Sequence, residues 1–323
     1  LTSQLAASPR EHRVVRAVIR RLLSAVLVVW ATATIVFFAL RAAGDPLEAI
    51  MGGPGSQASA EATAQARAEY GLDRSIFVQY FLQLWRIATL DFGDSYARKQ
   101  PVADLLTAHV PPTLVLASLS FVLAWALALV SVVIAVNARG RFGGAIRAVL
   151  TAIETIASVT PQFFLGALLI LAFAMTWKVL PATGTGPGGL VLPTVTLAVP
   201  VAGYLAHVLY GPLTEATNSP FATTARARGA SETRVLFSHT LRHAALPAIA
   251  LSGWAYGSLL SGAVVVEVLF ARPGLGRLLQ EAATVRDVPV VVGAVVVIAL
   301  FYVAVMILAD VAEWIVRPRE VIA

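Results

Sequence analysis

The chain contains no cysteine, and that single absence excludes disulfides, thiolate metal sites, iron-sulfur clusters and cysteine nucleophiles. Lysine is almost as scarce, Lys99 and Lys178 being the only ones. A phosphate-cradling loop needs Gly, four residues, Gly-Lys and then Ser or Thr. Lys99 follows Arg98 and Lys178 follows Trp177, so neither completes it. There is no Gly-x-Ser-x-Gly element either, which argues against an intramembrane hydrolase. Charged residues make up only 13% of the chain, against roughly 25% in a soluble domain of average composition. With 58% hydrophobic residues, the chain lacks the polar surface to cover a water-soluble globule and reads as an integral membrane protein.

What is present is a series of long apolar runs. A helix crossing the hydrocarbon needs about 20 mostly apolar residues, because about 30 Å is covered at about 1.5 Å per residue. Six segments qualify, approximately 22–40, 113–136, 150–175, 190–211, 245–270 and 288–310. An Asp or Arg at mid-span costs about 3 kcal/mol on the insertion scale. The windows are nearly free of charge, and Glu154, Glu267 and Asp310 fall near proposed ends. The first run follows Arg10, Arg13, Arg16, Arg20 and Arg21 as a signal peptide would, but it is longer than the usual signal core and is read as an uncleaved span. Positive flanks stay in the cytoplasm. Arg139, Arg141 and Arg147, then Arg226, Arg228, Arg234 and Arg242, and finally Arg317 and Arg319 place both termini there. The net charge of +6 is explained by these anchoring flanks, so nucleic acid is not an expected partner and the lipid bilayer is.

The expected organisation is a cytoplasmic segment over 1–21, a first transmembrane helix over 22–41, a small external helical domain over 42–109, a five-helix membrane core over 110–314 and a cytoplasmic tail over 315–323. In the external region SAEATAQARAEYG ends at Gly71, a helix stop. SIFVQYFLQLWRIA repeats Ile76, Phe77, Tyr80, Phe81, Leu84 and Ile87 at helical spacing, as a helix lying on the membrane surface would. TGTGPGG at 183–189 is a turn-rich loop. Thr160-Pro161-Gln162 breaks or kinks the third span.

Residues 223–247, TTARARGASETRVLFSHTLRHAALP, are basic and amphipathic. Ser219 before Pro220 is a helix start, Gly229 permits a sharp turn and Ser231 can cap a second helix carrying Val235, Leu236, Phe237 and Leu241 before Pro247 opens the next span. Two short helices along the cytoplasmic face suit either anionic lipid or a groove on a cytoplasmic subunit. Arg226, Arg228 and Arg234 either pair with acids on such a subunit or only hold the loop inside. His239 and His243 share one helical face, but no HExxH accompanies them and no metal site is expected. Glu267 suits either a gate or an ion pair with Arg272 or Arg277. Asp287, beside Arg286, reads as a helix start or a local ion pair, and Glu154 faces Arg147 or water.

TARARGASETRVLFSHTLRHAALP resembles the cytoplasmic coupling motif of permease subunits of ATP-binding-cassette importers, in the form found in the dipeptide, oligopeptide and nickel permeases. The resemblance continues through SGAVVVEVLFARPGLGRLLQEAATVRDVPVVVG. Near the front, RRLL, AGDPLEAIMGG, YGLDRSIFVQY, DFGDSY and HVPPTLVLAS are similar to the first, B-type subunit. The resemblance implies an all-α fold of the type I ABC importer permease kind, in a multi-pass protein of the bacterial plasma (inner) membrane. It implies ATPase coupling through Thr224, Ala225, Arg226, Ala227, Arg228, Gly229, Ala230, Ser231, Arg234, Val235, His239, Leu241 and Arg242. It suggests a gate or permease-permease contact at Glu267, Pro273, Gly274, Gly276, Arg286 and Asp287. The implied partners are a second permease chain forming a heterodimer, two ATP-binding subunits or domains and an external substrate-binding protein. No cofactor is expected on this chain, and ATP and Mg are used by the partners. The implied cargo is dipeptides or short oligopeptides. Nickel, glutathione or haem uptake, and an ion-driven secondary transporter, are the alternatives. Departures from the family pattern are Ala43 in place of a Pro, Leu90 in place of a Gly, Arg317 in place of an Asp, and His207 and Tyr210 in a region that commonly carries Arg.

Overall fold

A computed structural model describes residues 9–51 and 59–316, with the side chains of residues 9–19, 22, 48–49, 239, 242–243, 245–250 and 312–316 outside the description. Arg317 lies outside the described residues. Among the described residues there is no β-strand, only an isolated bridge between Asp94 and Pro101. The chain divides into two compact units. One comprises Leu1–Ala108 with Leu278–Ile307 and the other His109–Arg277 with Leu308–Ala323.

In the first unit, α1 (Pro9–Ala43) is a single helix that begins well before the apolar run at Leu23–Ala43. It is followed by α2 (Leu47–Ile50), α3 (Ala60–Glu69) and α4 (Ile76–Thr89). Ser59 and Ser75 cap α3 and α4 by accepting the amides of Ala62 and Val78, which supplies acceptors to free helix-start donors. Ile50, Ala66 and Leu72 form a small core, fixed at its rim by an ion pair between Asp45 and Arg67. The opposite face of α4 is left uncovered by the chain: Phe77, Phe81 and Trp85 are each about two-thirds exposed (66%, 65% and 68%). A hydroxyl contact of 2.8 Å joins Thr34 of α1 to Tyr80 of α4, beside the rings of Phe37 and Phe38.

In the second unit, α5 (Val102–Asn137, from His109 onward), α6 (Gly143–Val159), α7 (Gln162–Leu169, continued by a π-helical turn over Ile170–Thr176), α8 (Val191–Thr217) and α11 (Leu241–Leu269) are long or apolar elements. Helix α8 is the centre, packed by α6, α7 and α11, with Leu197, Leu205, Leu209 and Leu213 fully buried. In lipid, helices associate through close packing more than through water exclusion, so small residues at contacts matter. Gly203 of α8 is such a contact, since a Cβ there would meet the Glu154 carbonyl of α6 at 2.5 Å. Helix α12 (Leu275–Thr284) and α13 (Val288–Val316) follow, with most of their length in the first unit.

Among the described residues five helices are long and apolar enough to cross a membrane, and a sixth candidate is the pair Gly143–Val159 and Gln162–Thr176, bent by 107°. The third run is thus two helices at a steep angle where apolar content alone suggests one rod. Thr160 and Pro161 cause the break. Both are extended (ψ 123° and 134°), as a pre-proline residue and a helix-starting proline prefer. A second difference lies after Ser231. α10 (Glu232–Val235) runs through a π-helical turn (Leu236–Thr240) directly into α11. The second short helix expected before Pro247 is therefore the leading end of the helix that carries the next span. Nothing between Ser231 and Pro247 breaks a helix, and Pro247 itself is accommodated within α11.

Candidate functional site

The basic segment starts at α9 (Pro220–Ala227), capped by Ser219, which accepts the Ala222 amide at 3.4 Å. Helix α9 ends in a turn whose central residue, Gly229, has φ +84°. The Gly229 amide donates to the Arg226 carbonyl (2.9 Å) and the Ala230 amide to the Ala225 carbonyl (3.1 Å), the paired closing bonds of a glycine-terminated helix. Ser231 then caps α10 through the Arg234 amide at 3.4 Å. Across this turn Arg226 grips both carboxylate oxygens of Glu232, at 3.0 and 3.3 Å, and donates its remaining nitrogen to the Thr217 carbonyl at 3.0 Å. One side chain therefore fastens the end of α8, the turn and α10 together. Arg139, from the loop after α5, adds a looser contact to Glu232 at 3.8 Å. The hydrogen bond from Arg226 holds the Glu232 carboxyl below the usual glutamate value. Of the arginines considered as partners for acids on another subunit, Arg226 is committed within the chain, while Arg228 and Arg234 are exposed.

The inner face of the segment is apolar and buried through Ala222, Val235 and Leu236. Its outer face exposes Thr224, Ala227, Arg228, Gly229, Arg234 and Phe237. Ala225 and Ala230 are half-buried beneath it, and Leu241 lies at the start of α11. The side chains of His239, Arg242 and His243 lie outside the described residues.

Glu267, near the end of α11, is fully buried. Its carboxylate accepts the Thr113 hydroxyl of α5 at 2.5 Å, the Gly276 amide at 2.7 Å and the Arg277 amide at 3.4 Å. Thr113 in turn accepts the Leu275 amide at 2.8 Å. The acid thus satisfies the free donors of the first turn of α12, where a negative group is favoured. Pro273-Gly274-Leu275-Gly276 folds tightly around it. A Cβ on Gly274 would overlap the Glu267 carboxylate, and one on Gly276 would overlap the Val264 backbone. The Arg272 side chain donates to the carbonyls of Gly184 (2.8 Å) and Pro112 (3.3 Å), and burial lowers its guanidinium from the usual arginine value. The neighbouring arginines expected beside Glu267 act on it largely through backbone. Its closest partner is Thr113, 154 positions earlier, which no local spacing marks.

Arg286 and Asp287 belong to a different cluster, within the first unit. Asp287 is buried and accepts the Ser95 hydroxyl (2.6 Å) and the amides of Tyr96 and Ala97 (each 3.1 Å). The Arg286 guanidinium packs where a Cβ on Gly44 would stand. The Gly-Asp-Pro, Asp-Phe-Gly-Asp-Ser-Tyr and Arg-Asp-x-Pro stretches therefore meet at one place. Asp287 does stand at a helix start, immediately before α13, and its carbonyl accepts the Val291 amide at 3.0 Å, while its side chain hooks a loop almost two hundred positions earlier. The candidate gate residues thus fall into two groups, Glu267 with Pro273, Gly274 and Gly276, and Arg286 with Asp287.

Glu154 of α6 is buried and accepts the Ser131 hydroxyl of α5 at 2.5 Å, with His207 Nδ1 of α8 at 3.4 Å. Its partners are other span helices, where the sequence suggested Arg147 or water.

The chain and its fold are similar to known proteins. The family model described as binding-protein-dependent transport system inner membrane component matches residues 128–321. The model for the N-terminal part of such membrane components matches residues 14–117. A protein of Brucella abortus (strain 2308) with a provisional peptide transport system permease name is 32% identical over 314 residues, covering 94% of this chain and 98% of the relative. The glutathione transport system permease protein of Escherichia coli (strain K12) is 32% identical over 303 residues, covering 93% and 97%. Among solved structures, an inward-facing methionine ABC transporter shares the fold with a TM-score of 0.55 at 19% identity, over 66% of this chain and 97% of that one.

Proposed function

The chain belongs to the binding-protein-dependent transport system inner membrane component family, and from that premise we propose that it passes short peptides, driven by ATPase subunits that grip residues 219–243. It is the permease subunit of a binding-protein-dependent ABC importer, a multi-pass membrane component that is not itself an enzyme. ATP hydrolysis sits on separate subunits, and such an importer works with ATPase and substrate-binding partners.

The finer arrangement is a heterodimer with a second permease chain, two ATP-binding subunits that hold ATP and Mg, and both termini in the cytoplasm, in line with the arginine flanks. The observation that carries the coupling role is the build of the basic segment. A buried apolar face anchors it to α8, while an outer face of Thr224, Arg228, Gly229, Arg234 and Phe237 is left uncovered. An amphipathic helix fixed on one side and open on the other fits the helix-in-groove mode of docking. Relatives named for peptide and glutathione transport support a peptide cargo, glutathione being itself a tripeptide.

The test is uptake of a labelled dipeptide or tripeptide into proteoliposomes holding this chain with its companion permease, ATPases and binding protein. Accumulation that requires ATP and the ATPases is expected. Accumulation that persists without them and collapses with an ionophore overturns the ATP-driven reading. Uptake of nickel chelates or haem with peptides refused overturns the cargo.

A further inference from the structure

Two ionisable side chains stand inside apolar helices and face each other: Glu154 of α6 and His207 of α8, with Nδ1 to Oε2 at 3.4 Å. His207 Nε2 lies 3.3 Å from the Thr155 hydroxyl, and the Ser131 hydroxyl donates to Glu154. Ionisable residues within spans are costly and, where kept, face a protein interior or a water-filled cavity and mark substrate paths. Here Glu154 is covered (11% of its side chain exposed) while His207 is open (42%). The pair is thus reached from the His207 side.

The surrounding face sharpens this. Beyond its first residue, Val191, the positions that helix α8 leaves exposed are Tyr204, His207, Gly211 and Glu215, spaced as one helical stripe. Beside Tyr204 lies Trp254 of α11, with ring centroids 4.6 Å apart. The exposed positions of α5 from 115 to 134 contrast with it: Ser118, whose hydroxyl is bonded to that of Tyr256 at 2.9 Å, is the one polar side chain, and Val115, Leu119, Val122, Leu127, Val130 and Ile134 are apolar, as a lipid-facing surface should be. Two exposed faces of one membrane unit therefore differ in chemistry, and only one could rest in hydrocarbon without cost.

We propose that the α8 stripe of Tyr204, His207, Gly211 and Glu215, backed by Glu154, lines a water-filled stretch of the translocation path that favours cationic groups, such as the ammonium end of a short peptide. The cargo clause rests on the peptide reading above; the wet, acid-lined face does not. The carboxylates of Glu154 and Glu215 supply the negative field, and the Tyr204–Trp254 rings offer faces to a passing cation.

Because the chain has no cysteine, single cysteines report without background. Gly211→Cys and Tyr204→Cys are introduced into the assembled transporter, with Val122→Cys and Val130→Cys as controls. A Cβ at Gly211 meets no atom within 4 Å. Each is treated with methanethiosulfonates carrying either a trimethylammonium or a sulfonate. The α8 cysteines are expected to react and the α5 controls to stay unmodified. The cationic reagent should be favoured by about tenfold over the anionic one, since one carboxylate about 6 Å away in a water-like dielectric changes the local level of each about threefold in opposite directions. That preference should fall in Glu154→Gln and again with Glu215→Gln. Equal labelling of the two helices, no labelling of α8, or a preference unmoved by both substitutions overturns the proposal. The contrast between helices needs no change at Glu154, so it decides the matter even where Glu154→Gln does not assemble. Failed labelling with ATP-driven peptide uptake intact removes this face and leaves the cargo reading standing. The expected labelling without any peptide uptake overturns the ammonium assignment alone.

Discussion

Gly229 offers a way to separate conformation from contact in the coupling segment. Its φ of +84° lies where side chains are strained, yet a Cβ there would meet nothing within 4 Å. Substitution costs therefore come from the backbone: about 1–2 kcal/mol for Gly229→Ala, up to about 3 kcal/mol for the β-branched Gly229→Val, and less for Gly229→Asn, because Asn enters the left-handed region several times more readily. The turn keeps its two closing bonds and the Arg226–Glu232 grip only in that conformation. A penalty of 1–2 kcal/mol lowers the ratio of closed to relaxed turn about 5- to 30-fold, and apparent affinity for a groove that requires the closed form drops once that form ceases to dominate. ATPase co-purification and ATP-dependent uptake should therefore decline in the order Gly, Asn, Ala, Val, with membrane insertion unchanged. Wild-type behaviour of Gly229→Val would refute the coupling role. Equal damage from Asn, Ala and Val would refute the conformational account and point to a surface that tolerates no side chain at all.

Three further outcomes are expected. Glu232 is held below its ordinary carboxyl value by Arg226, so its contribution to local order is complete above the unfolded value, about 4.3, and fades as pH falls through the lower folded value; amide protection at Ala230 should be flat from neutral pH down to about 5 and fall below it, and the same fall in Glu232→Gln would sink this. Gly274→Ala drives a methyl into the Glu267 carboxyl group, and leaving its buried donors without an acceptor costs about 1–3 kcal/mol; thermal unfolding of the solubilised protein should show the loss, and Glu267→Ala should add far less to Gly274→Ala than to the wild type, strict additivity contradicting a shared site. Leu90 closes α4 with φ 55° and is 62% exposed, so Leu90→Gly should stabilise by about 0.5–1 kcal/mol, the left-handed strain of about 1–2 kcal/mol offset in part by the looser unfolded chain; a lower unfolding midpoint would contradict it.

The features legible in the sequence are those whose cause lies within a few residues. Ser219, Pro220, Gly229 and Ser231 mark a helix, a turn and a second start because caps and positive φ are local requirements, and the structure meets each where the residue stands. The family pattern even exposes Leu90, a side chain where a glycine is usual, at a helix end that turns left-handed. Direction is harder to read than presence. Hydropathy adds apolar residues without regard to orientation, so residues 150–175 scored as one run although Thr160 and Pro161 turn the chain by 107°. Partners far along the chain were hidden altogether, since Glu267 has two arginines nearby in sequence and takes Thr113, 154 positions away, with the first amides of α12. The reason is physical. A carboxylate sealed in an apolar setting needs donors at hydrogen-bond distance, and any backbone amide can serve, so residue identity carries almost no record of the choice. What it does record is the space such an amide contact requires. The two glycines of Pro273-Gly274-Leu275-Gly276 are the trace of Glu267 lying against main chain, and a lone buried acid followed closely by paired glycines is better read as a helix-start latch than as one half of an ion pair.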